Sequence, residues 1–375
     1  METWIINVAV VFLLCMFLAG FMIPKILLIS FRKNLFDGHD ERKIHKGAVP
    51  RLGGLAFSPV IFFSIVLVIA INFVLGKGYL IAHLHENSIE MAFEFCAMLL
   101  LYVVGIADDL IGVRYSAKFY IQIISSILLV VGGIYIDNFH GMFGIYELPA
   151  WIGYILTVVV IVFFTNAINL IDGVDGLASG LSIAASLFYA FSFIYLGYYL
   201  YAAMAFATLG VLLPFYYYNV FGNVDRGRKI FMGDTGALTL GFILSFLSIK
   251  LLMITDIDMS TAPNSFVLAF APMLVPCFDV LRVFFRRIRN HKSPFLPDRT
   301  HIHHKLMAMG LSTRRTMVAV VGFSIFLTIV NIALSLYINV NIIFFANVLG
   351  WVSMNMWMSK AIHKKGVECD FNKKG

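Results

Sequence analysis

Three stretches of this chain run at least the length of a membrane span without one Asp, Glu, Lys or Arg: Leu52 to Gly76, Leu177 to Val224 and Thr316 to Ser359. No water-soluble fold has use for so much uninterrupted apolar chain, and with 60% hydrophobic and 13% charged residues the bulk of the protein must face lipid. A helix crosses the hydrocarbon core with about 20 residues, so the second and third stretches each hold two helices. Gly197 and the Asn339–Asn341 stretch mark the turns between them. The runs are continuously apolar rather than alternating, which excludes a β-barrel. The pattern predicts an all-α polytopic membrane protein of about eleven transmembrane helices, a single integral-membrane domain over residues 1–375. The spans fall near 4–29, 53–75, 91–107, 119–136, 151–170, 177–196, 199–218, 236–254, 265–285, 316–338 and 341–359.

Charge orients these spans. Of the 28 Lys and Arg residues, only Lys77 and Lys250 fall toward one side; the rest gather in the loops after spans 1, 3, 5, 7 and 9 and in the C-terminal tail. The positive-inside rule makes those loops and the tail cytoplasmic. The first span, with Glu2 before it and Lys25, Arg32 and Lys33 behind it, reverses the charge order of a signal peptide. It is expected to stay as an anchor, with the N-terminus outside. The net charge of +7 is then mainly a topology signal, aided by attraction to anionic headgroups or phosphates, and not the footprint of a nucleic-acid partner. The four cysteines show no metal or redox spacing.

Four polar motifs lie on the basic side by a count that made no use of them. They are "GIADDLIGVRYSAK" (105–118), "NAINLIDGVDGLASG" (166–180), "RKIFMGDTGAL" (228–238) and "SPFLPDRTHIHHK" (293–305). Asp108 and Asp109 are adjacent anions at a membrane boundary, an arrangement relieved by a cation, a shared proton or plain solvation. Asp172 and Asp175 share a face if the helix continues; if it breaks, the glycines after each let backbone approach a ligand. Asp234 suits either the N-cap of span 8 or a ligand near helix-terminal amides. His301, His303 and His304 lack cysteines and stand beside Arg299 and Lys305, a setting for an anion rather than zinc. Many oxygen ligands opposite a set of cations suit Mg²⁺, with Mn²⁺ as a substitute, bound together with substrate phosphates. Metal-dependent chemistry on a phosphate ester follows, since phosphoryl transfer needs little beyond positioning and charge neutralisation.

These motifs, in this order and between these spans, resemble the polyprenyl-phosphate N-acetylhexosamine-1-phosphate transferases, along nearly the whole chain and including "ERKIHKGAVPRLGGLA" (41–56). The resemblance implies a multi-pass enzyme of the bacterial cytoplasmic (inner) membrane. In its reaction a polyprenyl phosphate, usually undecaprenyl phosphate, attacks the β-phosphorus of a UDP-amino sugar; UMP leaves and a lipid diphosphosugar remains. It implies Mg²⁺, bound by Asp234 with help from Asn169, and places Asp108 and Asp109 near the metal and the lipid phosphate. It makes Lys118 a diphosphate contact, gives Asp172 and Asp175 the orientation of the nucleotide-sugar, and gives Arg299, His301, His303 and His304 its phosphates or sugar. Asp175 counts with the catalytic residues, and Asn166 and His45 with the substrate-binding ones. The partners so implied are the UDP-amino sugar, the polyprenyl phosphate and the bilayer, with homodimerisation left open.

Two departures bear on the substrate. Many members continue the aspartate pair as "DDxxD", where this chain has Gly112. The pentapeptide translocases carry a longer histidine run than "HIHH", which favours UDP-GlcNAc as donor over UDP-MurNAc-pentapeptide or UDP-GalNAc. A transporter is the reading from another class, disfavoured because the acids cluster at span ends on one side and not at the midplane. An inactive assembly scaffold would rest on Gly112 alone.

Overall fold

The structure is a computed structural model that describes residues 2–35, 49–76, 78–254, 263–291 and 300–364. Its helices are α1 (Glu2–Lys33), α2 (Phe57–Val74), α3 (Gly78–Ile111), α4 (Tyr115–Val131), α5 (Ala150–Ile171), α6 (Leu177–Tyr195) and α7 (Tyr199–Val220). They continue with α8 (Gly233–Met253), α9 (Ser265–Phe270), α10 (Leu274–Arg289), α11 (Ile302–Ala308), α12 (Thr313–Ser335) and α13 (Val340–Lys364). Among the described residues there is no strand, and one antiparallel bridge joins Asn138 to Glu147. Ten helical segments are long and apolar enough to cross a membrane, and the chain is a multi-pass, all-α membrane protein.

The eleventh expected span is α4, shorter and shifted. It starts at Tyr115 and stops at Gly132 and Gly133, so residues 132–136, expected to be its end, are not helical. Its first turns lie beside the last turns of α3 and α5, where Lys118 meets Asp108 and Gln122 meets Asn166. The turns at Gly197 and Asn339 fall where expected, between α6 and α7 and between α12 and α13.

At the centre stands α8, buried along its whole length from Thr235 to Leu252 against α3, α5 and α6, while α1 lies along α7. Lipid-facing helices show the opposite character: Phe17 and Phe21 of α1 and Phe326 and Ile329 of α12 are exposed. Some polar side chains pair between helices: Asn331 and Asn347 exchange amide hydrogen bonds between α12 and α13 at 3.2 and 2.6 Å. Lys250, one of the two cations on the sparse side, forms an ion pair with Glu90 at 2.8 Å and lies over the Tyr201 ring.

The ninth span is broken. Pro272 cannot donate to the helix ladder, and a 3-10 turn, Ala271–Met273, separates α9 from α10. Backbone freed in this way survives in a membrane only where protein groups satisfy it. Ala269 O accepts from Tyr189 Oη at 2.8 Å and Ser248 Oγ at 2.7 Å, and Ala271 O from Thr328 Oγ1 at 3.3 Å.

Candidate active site

The C-terminal ends of α3, α5 and α7 and the N-terminal ends of α4, α6 and α8 meet at one end of the bundle. Asp108 and Asp109, adjacent in sequence, do different work there. Asp109 turns toward α8: its Oδ1 accepts from the Asp234 N–H at 2.7 Å, and its Oδ2 from the Thr235 N–H at 3.0 Å and Thr235 Oγ1 at 2.5 Å. A carboxylate from α3 thus caps the first turn of the central helix. Asp234 is not the N-cap of α8; it is the second residue of the helix, and the N-cap, Met232, makes no side-chain capping bond. The backbone crowding that places α8 here requires glycine: a Cβ on Gly54 would fall 2.1 Å from Gly236 N.

Asp108 belongs to the polar cluster. Its Oδ1 accepts from the Val113 N–H at 2.7 Å and its Oδ2 from Lys118 Nζ at 2.8 Å. Lys118 reaches Asp234 Oδ1 at 3.4 Å, and Asn169 Nδ2 donates to the same oxygen at 2.7 Å. Gly112, at the third acidic position, ends α3 with φ of +71° and its N–H on Asp108 O at 2.9 Å. A left-handed helix-terminating site is a place for glycine, not for a third carboxylate. We expect Asp109→Ala to lower the melting temperature more than Asp108→Ala, since it strips three bonds from α8 at a cost of about 1–3 kcal/mol. Thermal unfolding in detergent checks this, and equal melting temperatures would count against the capping role.

Between α5 and α6 the helix breaks, so Asp172 and Asp175 lie on a loop and not on a shared helical face. Asn219 of α7 holds that loop: its Oδ1 accepts from the Gly176 N–H at 2.7 Å while its Nδ2 donates to Ile230 O at 2.9 Å. Asp175 forms an ion pair with Lys229. Asn169, Asp172, Asp175, Asp234, Asn219 and Arg51 line a polar cavity of about 370 Å³. Burial pushes the Asp172 carboxyl up to about 7, helped by the negative charges of Asp234 and Asp175 and opposed by Arg51.

The histidines reach the same loop from the other side. His303 is buried, both of its ring nitrogens lack a hydrogen-bond partner among the described residues, and its Nε2 would lie 2.7 Å from a Cβ on Gly173. Burial, with His304 and His301 adding to it, pushes its pKa down to about 3, so this ring is neutral. His301 stacks on His303 with ring centroids 5.7 Å apart, and His304 lies 4.2 Å from His303. His301 is itself held by Asp279, a fully buried carboxylate of α10. Asp279 Oδ2 meets His301 Nδ1 at 2.8 Å, and its Oδ1 accepts from the Ile302 N–H and Arg282 Nη2, both at 2.9 Å. Arg282 also donates to Thr300 O.

Asn166 stands apart, one turn back along α5: its amide donates to Gln122 Oε1 at 2.6 Å and to Val162 O at 2.8 Å, tying α5 to α4. It does not line the cavity. His45 and Arg299 lie outside the described residues. Sequence reading missed Asp279, Asn219, Lys229 and Arg51. Asp279 carried a signal, an acid inside an apolar span; Lys229 and Arg51 lay within quoted motifs without being singled out.

Among the described residues no three His, Cys, Asp or Glu side chains are grouped to hold a metal ion by themselves. The candidate metal ligands that line the cavity are oxygens of Asn169, Asp172, Asp175, Asn219 and Asp234, with Arg51 beside them. That combination fits a hard cation taking one or two protein ligands and the rest from substrate and water, and does not fit a caged ion.

Comparison with known proteins agrees with this geometry. Residues 91–252 match glycosyl transferase family 4. A protein of Bacillus subtilis (strain 168) named "Probable undecaprenyl-phosphate N-acetylglucosaminyl 1-phosphate transferase" is 33% identical over 357 residues, which cover 93% of this chain and 92% of its own length. The chain belongs to this family. The family 4 members of Escherichia coli (strain K12) and Yersinia pestis, each named as an undecaprenyl-phosphate alpha-N-acetylglucosaminyl 1-phosphate transferase, are 30% and 28% identical. Each alignment covers 78% of this chain and 74% of the relative. His303 packs on Gly173, which lines the carboxylate cavity, so the histidine motif lies against that cavity.

Proposed function

We propose that the protein transfers GlcNAc-1-phosphate from UDP-GlcNAc to undecaprenyl phosphate at the cytoplasmic face of a bacterial inner membrane. An oxygen of the lipid phosphate attacks the β-phosphorus, the bond between that phosphorus and the bridging oxygen breaks, and UMP leaves. The observation that carries the reading is the meeting of Asp108, Lys118, Asn169 and Asp234 beside the Asp172–Asp175 loop, at the end of the bundle where the basic residues gather. The names of the relatives support the sugar and the lipid.

Asp234 and Asn169 would hold Mg²⁺, which when bound neutralises charge on the diphosphate during transfer. Lys118, already between Asp108 and Asp234, supplies positive charge beside Asp234 for a phosphate oxygen. Asp108 keeps Lys118 in place and closes the end of α3. A phosphate monoester is largely anionic at neutral pH, with a second pKa of about 6, so the acceptor needs orientation more than a strong base. Neutral His303 can donate one N–H to an oxygen of the donor without adding net charge. The N-terminus lies outside and the C-terminus in the cytoplasm, following the basic residues at the site end.

The test is a panel of UDP-GlcNAc, UDP-GalNAc and UDP-MurNAc-pentapeptide supplied to purified protein with undecaprenyl phosphate. UMP release is followed together with the mass of the lipid product. UDP-GlcNAc should yield both, and a product carrying another sugar would overturn the assignment. Chelation with EDTA should abolish UMP release, and added Mg²⁺ or Mn²⁺ should restore it. Turnover that survives chelation would remove the metal from the proposal.

A further inference from the structure

A concavity larger than the carboxylate cavity lies elsewhere in the described structure. A groove of about 1070 Å³ runs between α10 and α13. Phe278, Leu281, Phe285, Val348, Trp351 and Val352 form its apolar walls. The α10 members recur at helical spacing on one face. At one end the lining turns basic, with Arg282, Arg286 and Arg289 on α10, Lys305 on α11 and Lys360 and His363 on α13; among the described residues no Asp or Glu lines it. Two buried donors in its wall, Arg282 Nε and Trp351 Nε1, have no hydrogen-bond partner among the described residues. Among the described residues, Lys305 Nζ meets neutral oxygens, Asn355 Oδ1 and Ser359 Oγ at 3.1 Å and Asn355 O at 3.4 Å. Burial, with Arg282 and Arg286 nearby, lowers its pKa to about 8.

An apolar trench with a cluster of cations at one end complements an amphiphile with an anionic head. Two sources of such a lipid exist, a bilayer phospholipid and the acceptor polyprenyl phosphate. Geometry separates them. The groove shares no lining residue with the carboxylate cavity. On α11, Lys305 faces the groove and α13 while His303, two residues earlier and so on the opposite face, packs on Gly173. We propose that the groove between α10 and α13 is a second lipid site that takes an anionic phospholipid of the surrounding bilayer. Its phosphate lies among Arg282, Arg286, Lys305 and Lys360, and an acyl chain lies along Phe278, Phe285 and Trp351. The proposal rests on the membrane fold and not on the transferase reaction, so failure of one leaves the other standing.

The experiment uses full-length protein, delipidated in neutral detergent and supplied with equal phosphatidylglycerol and phosphatidylcholine, with retained lipid measured by native mass spectrometry. Phosphatidylglycerol should be retained preferentially and should raise the melting temperature. The double substitution Arg286→Gln with Lys360→Gln should weaken that retention roughly twentyfold, a factor of about five for each basic residue. Should that variant fail to fold, Val348→Trp blocks the apolar trench while keeping every cation and should also lower retention. Equal retention of the two lipids, or full retention by both variants, overturns the proposal. So does one-for-one displacement of phosphatidylglycerol by undecaprenyl phosphate, which would make the groove the acceptor's. A chain ending at Lys364 tests the acidic Glu368 and Asp370 of the tail as a rival occupant; a preference that appears only after this truncation also overturns it.

Discussion

Asp234→Ala should reduce UMP release from UDP-GlcNAc by roughly a thousandfold, the scale seen when a preorganised group facing developing charge is removed, while the protein remains folded. The second half of that expectation is as informative as the first. What Asp109 grips on α8 is the backbone N–H of Asp234, together with Thr235. Alanine keeps that N–H, so the cap of the central helix survives the substitution. The lost carboxylate is one of the charges that push Asp172 upward, so its removal relieves repulsion in the cavity. Lys118 retains Asp108 as a partner at 2.8 Å. Melting temperature and UMP release measured on the same preparation separate a chemical role from a structural one. Full turnover would remove Asp234 from the proposed metal site, and a large fall in melting temperature would show that its side chain supports the fold.

Asp279→Asn should cost roughly 10- to 100-fold in turnover, the usual range when a group that orients a functional histidine is changed, and Asp279→Ala should be worse and less stable. The carboxylate is fully buried and holds His301, the Ile302 N–H and Arg282 at once. Alanine leaves a largely buried guanidinium short of its charge partner, a loss of about 3–5 kcal/mol. Asparagine can still accept from Ile302 N–H or Arg282, but its amide donates toward His301 Nδ1 and reverses the tautomer that the carboxylate favours. Kinetics against UDP-GlcNAc concentration, with a pH profile, distinguish the outcomes. If Asp279→Asn turns over normally while Asp279→Ala melts early, the residue is a structural anchor for α11 and nothing more.

Much of the architecture was legible because lipid imposes a coarse rule. A segment without charges must cross, and basic residues stay on one side, so the spans, their turns at Gly197 and Asn339 and the gathering of the four motifs could be read without coordinates. The rule is silent about length within a span, which is why α4 ends at Gly132 and not four residues later. It is equally silent about Pro272, since a proline in an apolar run reads as a kink until Ser248, Tyr189 and Thr328 are seen taking the freed carbonyls.

Site residues divide the same way. Asp108 and Asp109 are indistinguishable as "DD", and the residue types around them suit either order of roles. Only the position of α8, one carboxylate away and the other side of a backbone crowding point at Gly54, makes Asp109 a cap and leaves Asp108 to Lys118. Asn166 and Asn169 lie one turn apart, yet the first meets Gln122 and the second Asp234. Asp279 stood out as an acid in an apolar span, but its hold on His301 and the Ile302 N–H, 22 and 23 residues further on, was not legible in the sequence. By itself the chain's sequence determined that this is a multi-pass membrane protein with the acids, amides and histidines of its four polar motifs at one end, because hydrophobic length and charge act locally along the chain. The tertiary structure alone decided which oxygen meets which nitrogen, because that depends on contacts between helices far apart in sequence.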